Sequence, residues 1–64
     1  MEYTNSQMRE LIGEHIHSQR DRTVLEMIYI DGFTQETVAE KVDMSVRQIQ
    51  NIIYKHQNTI FMHL

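Results

Sequence analysis

Residues 45–55 read Ser-Val-Arg-Gln-Ile-Gln-Asn-Ile-Ile-Tyr-Lys. At 3.6 residues per turn this run puts Ile49, Ile52 and Ile53 on one side of a helix and Val46, Arg47, Gln50, Asn51 and Tyr54 on the other. The outward set has the chemistry of base-edge recognition. An arginine pairs bidentately with guanine, glutamine and asparagine pair with adenine, and valine can touch a thymine methyl. Ser45, Lys55, Lys41 and the free N–H groups at a helix start suit backbone phosphates. A solvated surface helix usually mixes acids with bases, yet no Asp or Glu occurs after Asp43. That asymmetry favours recognition of double-stranded DNA over a merely wet face.

Other chemistries find less support. His15 and His17 are two apart and diverge on a helix, while His56 and His63 lie along a mostly apolar side; none of these spacings forms a helical zinc pair. We therefore expect no metal and no cofactor, and read His56 as a core-edge side chain with one hydrogen-bond partner. No nucleophile elbow, phosphate-cradling glycine loop or acid pair in a plausible cleft is present, so we expect no enzyme. The methionines at helical spacing read as core filling.

Charge at first argues against a nucleic-acid binder. The 64 residues carry 6 Lys and Arg against 9 Asp and Glu, for a net charge of −3. The balance is uneven, however: residues 1–43 sum to −5 and residues 44–64 to +2. With so few cations, non-specific affinity should sit near about 10⁻⁴ M at physiological salt. Help is then needed, from a homodimer or from a larger complex that tethers the domain on DNA. The apolar tail with Ile60, Phe61 and Leu64 is a candidate dimer or partner contact, with closure of the core against the first helix as the alternative. Cysteine is absent, no run approaches the ~18 apolar residues of a membrane span, and residues 1–4 lack the blocks of a signal peptide. The expectation is a cytoplasmic protein with no membrane contact.

The elements that must position the recognition face are legible as helix starts. Thr4 and Gln7 form a capping box, Ser18 stands three residues before Asp21, Thr34 precedes Glu36, and Ser45 pairs with Gln48. Proline is absent and glycine occurs only at 13 and 32. The apolar residues recur at three and four, which predicts an all-α fold with helices at about 5–16, 19–31, 35–42 and 46–62 in a single domain, 1–64. Gly32 is placed to end the second helix in the left-handed conformation.

The last two helices and their short break fit a helix-turn-helix. That motif needs a small residue where its helices cross, here Ala39, flanked by Val38 and Val42, with Met44 plugging the turn and Ile49 and Ile52 closing the contact. Taken with Asp21-Arg22-Thr23-Val24-Leu25 and Tyr29-Ile30-Asp31-Gly32-Phe33-Thr34, then Val38-Ala39-Glu40-Lys41-Val42 and Ser45-Val46-Arg47-Gln48-Ile49-Gln50, the chain resembles region 4 of bacterial sigma factors and related phage regulators over about residues 19–60. The turn position that is usually glycine in such motifs is Asp43. The resemblance implies a bacterial or phage transcription regulator that places its second helix-turn-helix helix in the major groove, with RNA polymerase as a protein partner. The competing reading is a helix-turn-helix interaction module that binds RNA polymerase or another regulator and has little intrinsic DNA affinity.

Overall fold

The computed structural model describes residues 4–63. Among them are four α-helices: α1 (Asn5–His15), α2 (Gln19–Tyr29), α3 (Gln35–Val42) and α4 (Val46–Met62), with no strand. Every helix begins where its hydroxyl cap stands. The side chains of Thr4, Ser18, Thr34 and Ser45 each accept from the backbone amide three residues on, and Thr4–Gln7 and Ser45–Gln48 close as reciprocal capping boxes.

The helix ends depart slightly from expectation. α1 stops at His15 because Ile16 is extended and buries its side chain, while Arg22 donates to the carbonyls of Gly13 and Ile16 at the end of α1. An arginine of α2 thus takes over acceptors that the helix can no longer satisfy. α2 stops at Tyr29 rather than 31: the amides of Asp31 and Phe33 reach back to the carbonyls of Glu26 and Met27, and Gly32 turns the chain at φ +75°.

The ten buried apolar residues form one cluster to which every helix contributes: Leu11 and Ile12, then Ile16 just past α1, Val24 and Leu25, Val38 and Ala39, and Ile49, Ile52 and Ile60. α2 packs against each of the other three helices. Ile60 is fully buried, so the expected partner contact at this position is corrected: it faces the core, in step with Ile49, Ile53 and His56 along α4, and is not available to a second molecule. Phe61 is 55 % exposed and Met62 80 %, whereas Leu64 lies outside the described residues.

Between α3 and α4 the chain turns through Asp43 at φ 57°, ψ 48°, the left-handed region. The amides of Asp43 and Met44 both return to the Ala39 carbonyl, combining the 5→1 bond of the αL cap with the 6→1 bond of a Schellman turn, and Met44 packs on the core. An L-residue pays for this conformation, and an acid at a helix C-terminus opposes the helix dipole. Asp43→Gly should therefore raise stability by about 0.5–1 kcal/mol despite the more flexible unfolded chain. Urea denaturation midpoints test this, and a fall in the midpoint would show that the Asp43 side chain holds the turn.

Candidate nucleic-acid interface

The start of α4 is built to present its first turns outward. The Ser45 hydroxyl accepts from the Gln48 amide at 3.1 Å, and Gln48 Oε1 accepts from the Ser45 amide at 2.9 Å. Both side chains are committed to the cap, so the phosphate-binding potential here rests with the amides of Val46 and Arg47, which have no acceptor within the helix. Ala39, 6 % exposed, lets α4 cross α3 closely, while Ile49 and Ile52 anchor it in the core. With that face inward, Arg47, Gln50, Asn51 and Tyr54 are exposed, as the periodicity predicts. Val46 is not part of that free face: it is half-buried and packs against the core cluster, because the first turn of α4 lies close over the fold.

The exposed stripe has a side chain from a different helix on each flank. Toward α3, Gln50 Nε2 donates to Oε1 of Gln35 at 3.2 Å. Toward α2, Asn51, Gln48 and Lys55 line a cleft of about 210 Å³ with Arg20, floored by Met44 and Ile52. Arg20 and Lys55 are both well exposed. Lys41 is not among the cleft residues; its Nζ sits 5.0 Å from the ring centroid of Phe33 in a cation–π contact. Arg20 and Gln35 were missed by sequence reasoning, since each reaches the site from a helix that periodicity treats separately.

Beneath the cleft lies a buried carboxylate. Asp21 is 1 % exposed, with His56 Nε2 2.7 Å from Oδ2, Arg20 Nε donating to Oδ1 at 3.2 Å, and Lys55 Nζ 3.9 Å from Oδ2. His56 is thus the half-buried core-edge histidine with the partner the sequence called for. Asp21 is positioned by Ser18, whose hydroxyl accepts its amide, but its side chain turns inward to α4. Burial alone would push its carboxyl pKa up. The hydrogen bonds from His56 and Arg20 and their charges outweigh burial and hold it below the ordinary value. The remaining histidines form no such group: His15 and His63 stack at 3.8 Å between centroids, and the described residues contain no cluster of three or more His, Cys, Asp or Glu able to hold a metal.

Because the folded carboxyl titrates below its unfolded value, Asp21 stabilises the fold fully above about pH 3.9 and loses that contribution as pH falls through the lowered folded value. Asp21→Asn should cost about 1–3 kcal/mol at neutral pH and flatten the acid limb of stability against pH. Urea midpoints from pH 7 to 2 for both proteins check this; parallel acid limbs would show that other carboxylates govern acid unfolding.

No helix of the described residues is long and apolar enough to cross a membrane. Compared with known proteins, the chain matches over residues 18–55 the pattern of the family described as Sigma-70, region 4. The matched span covers α2, α3 and the first part of α4, the helices that build the interface. No curated protein and no solved structure matches the chain.

Proposed function

The chain belongs to the sigma-70 region 4 family of DNA-binding helix-turn-helix domains, and from that premise we propose that it is a sequence-specific transcription regulator acting in the cytoplasm, with α4 in the major groove. The observation that carries this reading is the acid-free outward stripe of α4. Arg47, Gln50, Asn51 and Tyr54 are all exposed there, on a helix whose other face is locked into the core. Their donors and acceptors match base edges. Val46, half-buried, contributes at most its backbone amide and a methyl at the helix start. Ser45 acts through the cap it forms, leaving the first-turn amides for a phosphate.

Lys55 and Arg20 flank the cleft beside Asn51 and supply the phosphate contacts that set register. Lys41, over Phe33, reaches the backbone further along α3. Each phosphate neutralised contributes about 0.9 to the slope of log affinity against log salt. Arg47→Ala should cost about 1–3 kcal/mol and relax one base position, whereas Lys55→Ala and Arg20→Ala should weaken all sequences alike and lower the salt slope by about 0.9 each. Mobility-shift titrations at several salt concentrations, on sites selected from a random DNA pool, test both statements. Equal binding by wild type and all three variants overturns the assignment. Tight capture of RNA polymerase with no salt-dependent DNA binding establishes instead the interaction-module reading, which the −5 charge of residues 1–43 favours.

So thin a positive surface needs support on DNA, and we assign it to a second copy or to RNA polymerase. The exposed pair Phe61 and Met62 at the end of α4 is the surface a second copy would use. In sedimentation, wild type should then be dimeric and Phe61→Asp a folded monomer. Folded monomers in both place the support in the larger assembly.

A further inference from the structure

Arg20 and Lys55 each face two ways. Both are well exposed and line the cleft beside Asn51, yet Arg20 Nε donates to Asp21 Oδ1 at 3.2 Å and Lys55 Nζ stands 3.9 Å from Oδ2. The third partner of the buried carboxylate is His56, whose Nε2 lies 2.7 Å from Oδ2 and whose side chain is 14 % exposed. Of the three partners, only the imidazole belongs to a type that gains or loses its charge near neutrality. Asp21 itself stays ionised there: burial pushes its carboxyl up, but the hydrogen bonds and charges of His56 and Arg20 hold it below the ordinary value. With Nε2–H donated to Asp21, a further proton goes to Nδ1 of His56, and the imidazolium keeps the same hydrogen bond.

The charges around this ring come from two helices. α2 presents Asp21 and Arg20, and α4 presents Lys55. On the other elements packed against α4, His15 of α1 stacks on His63 with Glu14 3.9 Å away, and Lys41 of α3 sits over Phe33. Among the described residues, no side chain of α1 or α3 makes an ion pair with Asp21 or His56.

A phosphate seated in the cleft alters this arrangement. It takes hydrogen bonds from the same guanidinium and ammonium that face Asp21, and so reduces the share of their charge left to the buried carboxylate. It also adds negative charge on the outer side. Both changes favour an imidazolium beside Asp21. Linkage is reciprocal: a protein that holds a proton more tightly with DNA bound also holds DNA more tightly with the proton bound.

We propose that seating a DNA phosphate on Arg20 and Lys55 is coupled to proton uptake at His56, so that DNA binding strengthens as pH falls through neutrality. This deepens the DNA-binding reading and rests on it. Half-buried, His56 acts through Asp21 and the two shared cations rather than by touching DNA. A histidine that only held α4 in place would leave affinity independent of its protonation.

The test is a set of salt-titrated mobility shifts at about pH 8, 7 and 6, on a duplex selected from a random DNA pool. It compares wild type with His56→Gln, which places a carboxamide N–H near the position of Nε2 and does not titrate, and with the triple variant His15→Gln, His17→Gln, His63→Gln. Wild type should gain roughly three- to tenfold in affinity from the highest pH to the lowest. His56→Gln should lose that gain and the triple variant should keep it. Nitrogen NMR of the wild-type imidazoles, with and without the duplex, should show His56 protonated to a larger fraction at a given pH when DNA is bound. A wild-type affinity that does not rise as pH falls, an undiminished gain in His56→Gln, loss of the gain in the triple variant, or a His56 titration unchanged by DNA overturns the proposal and leaves the DNA-binding reading standing. Wild type without salt-dependent DNA binding at any pH overturns that reading and this proposal with it. Should His56→Gln fail to fold by circular dichroism, the wild-type imidazole titration decides the question.

Discussion

The position of α4 depends on a carboxylate taken almost wholly out of water. An isolated buried charge costs several kcal/mol, so Asp21 is tolerable only because His56, Arg20 and Lys55 surround it. Two of those partners sit on α4 and the carboxylate itself on α2, the two helices that each pack against all the others. A ten-residue apolar core specifies the depth of a helix well and its rotation less well, since neighbouring isoleucines substitute for one another in an oily contact. A charged hydrogen bond of 2.7 Å admits one rotation. Fixing α4 about its axis also fixes which side chains leave the surface, and so links Asp21 to Arg47, Gln50, Asn51 and Tyr54 without touching them.

Asp21 also moderates the interface above it. Arg20 and Lys55 bring two positive charges to the cleft, and one buried negative charge lies beneath them. The carboxylate holds Arg20 Nε at 3.2 Å and lies 3.9 Å from Lys55 Nζ, and its charge offsets part of the attraction the pair would have for a phosphate. This deepens the thinness of positive charge already visible in the net −3. On the proposed reading the cations contribute placement more than strength, as backbone contacts do when they set register.

Local signals made the fold legible, and non-local ones made the site only half so. All four helix starts follow from a hydroxyl and the residue three places on, an interaction complete within one turn. Helix ends are less local: α1 ends where Arg22, nine residues past Gly13, collects its carbonyls, and no pattern within α1 records that. The outward stripe of α4 follows from a 3.6 period, while the half-buried Val46 shows the period failing in a first turn that lies over another element. Ile60 had two readings, and the same period that placed Ile49 inward decides between them. Arg20, Gln35 and the Asp21–His56 pair depend on contacts 15 to 35 residues apart or on a cleft between helices. Such pairings appear only once the helices are packed.

The scarcity of cations bears on specificity as well as affinity. A regulator must find its site among an excess of wrong ones, and the useful quantity is the ratio of specific to non-specific binding. Non-specific affinity grows with the number of phosphates neutralised, whatever the sequence. Neutral amides such as Gln50 and Asn51 add to specific binding with little effect on that background, provided their orientation is held. On the proposed reading, a domain with two amides among its four exposed α4 side chains, and an acidic remainder, would attach weakly anywhere and prefer strongly the sites where it fits. Weak attachment is then no defect if a second copy or RNA polymerase supplies local concentration, because tethering raises occupancy without adding cationic surface.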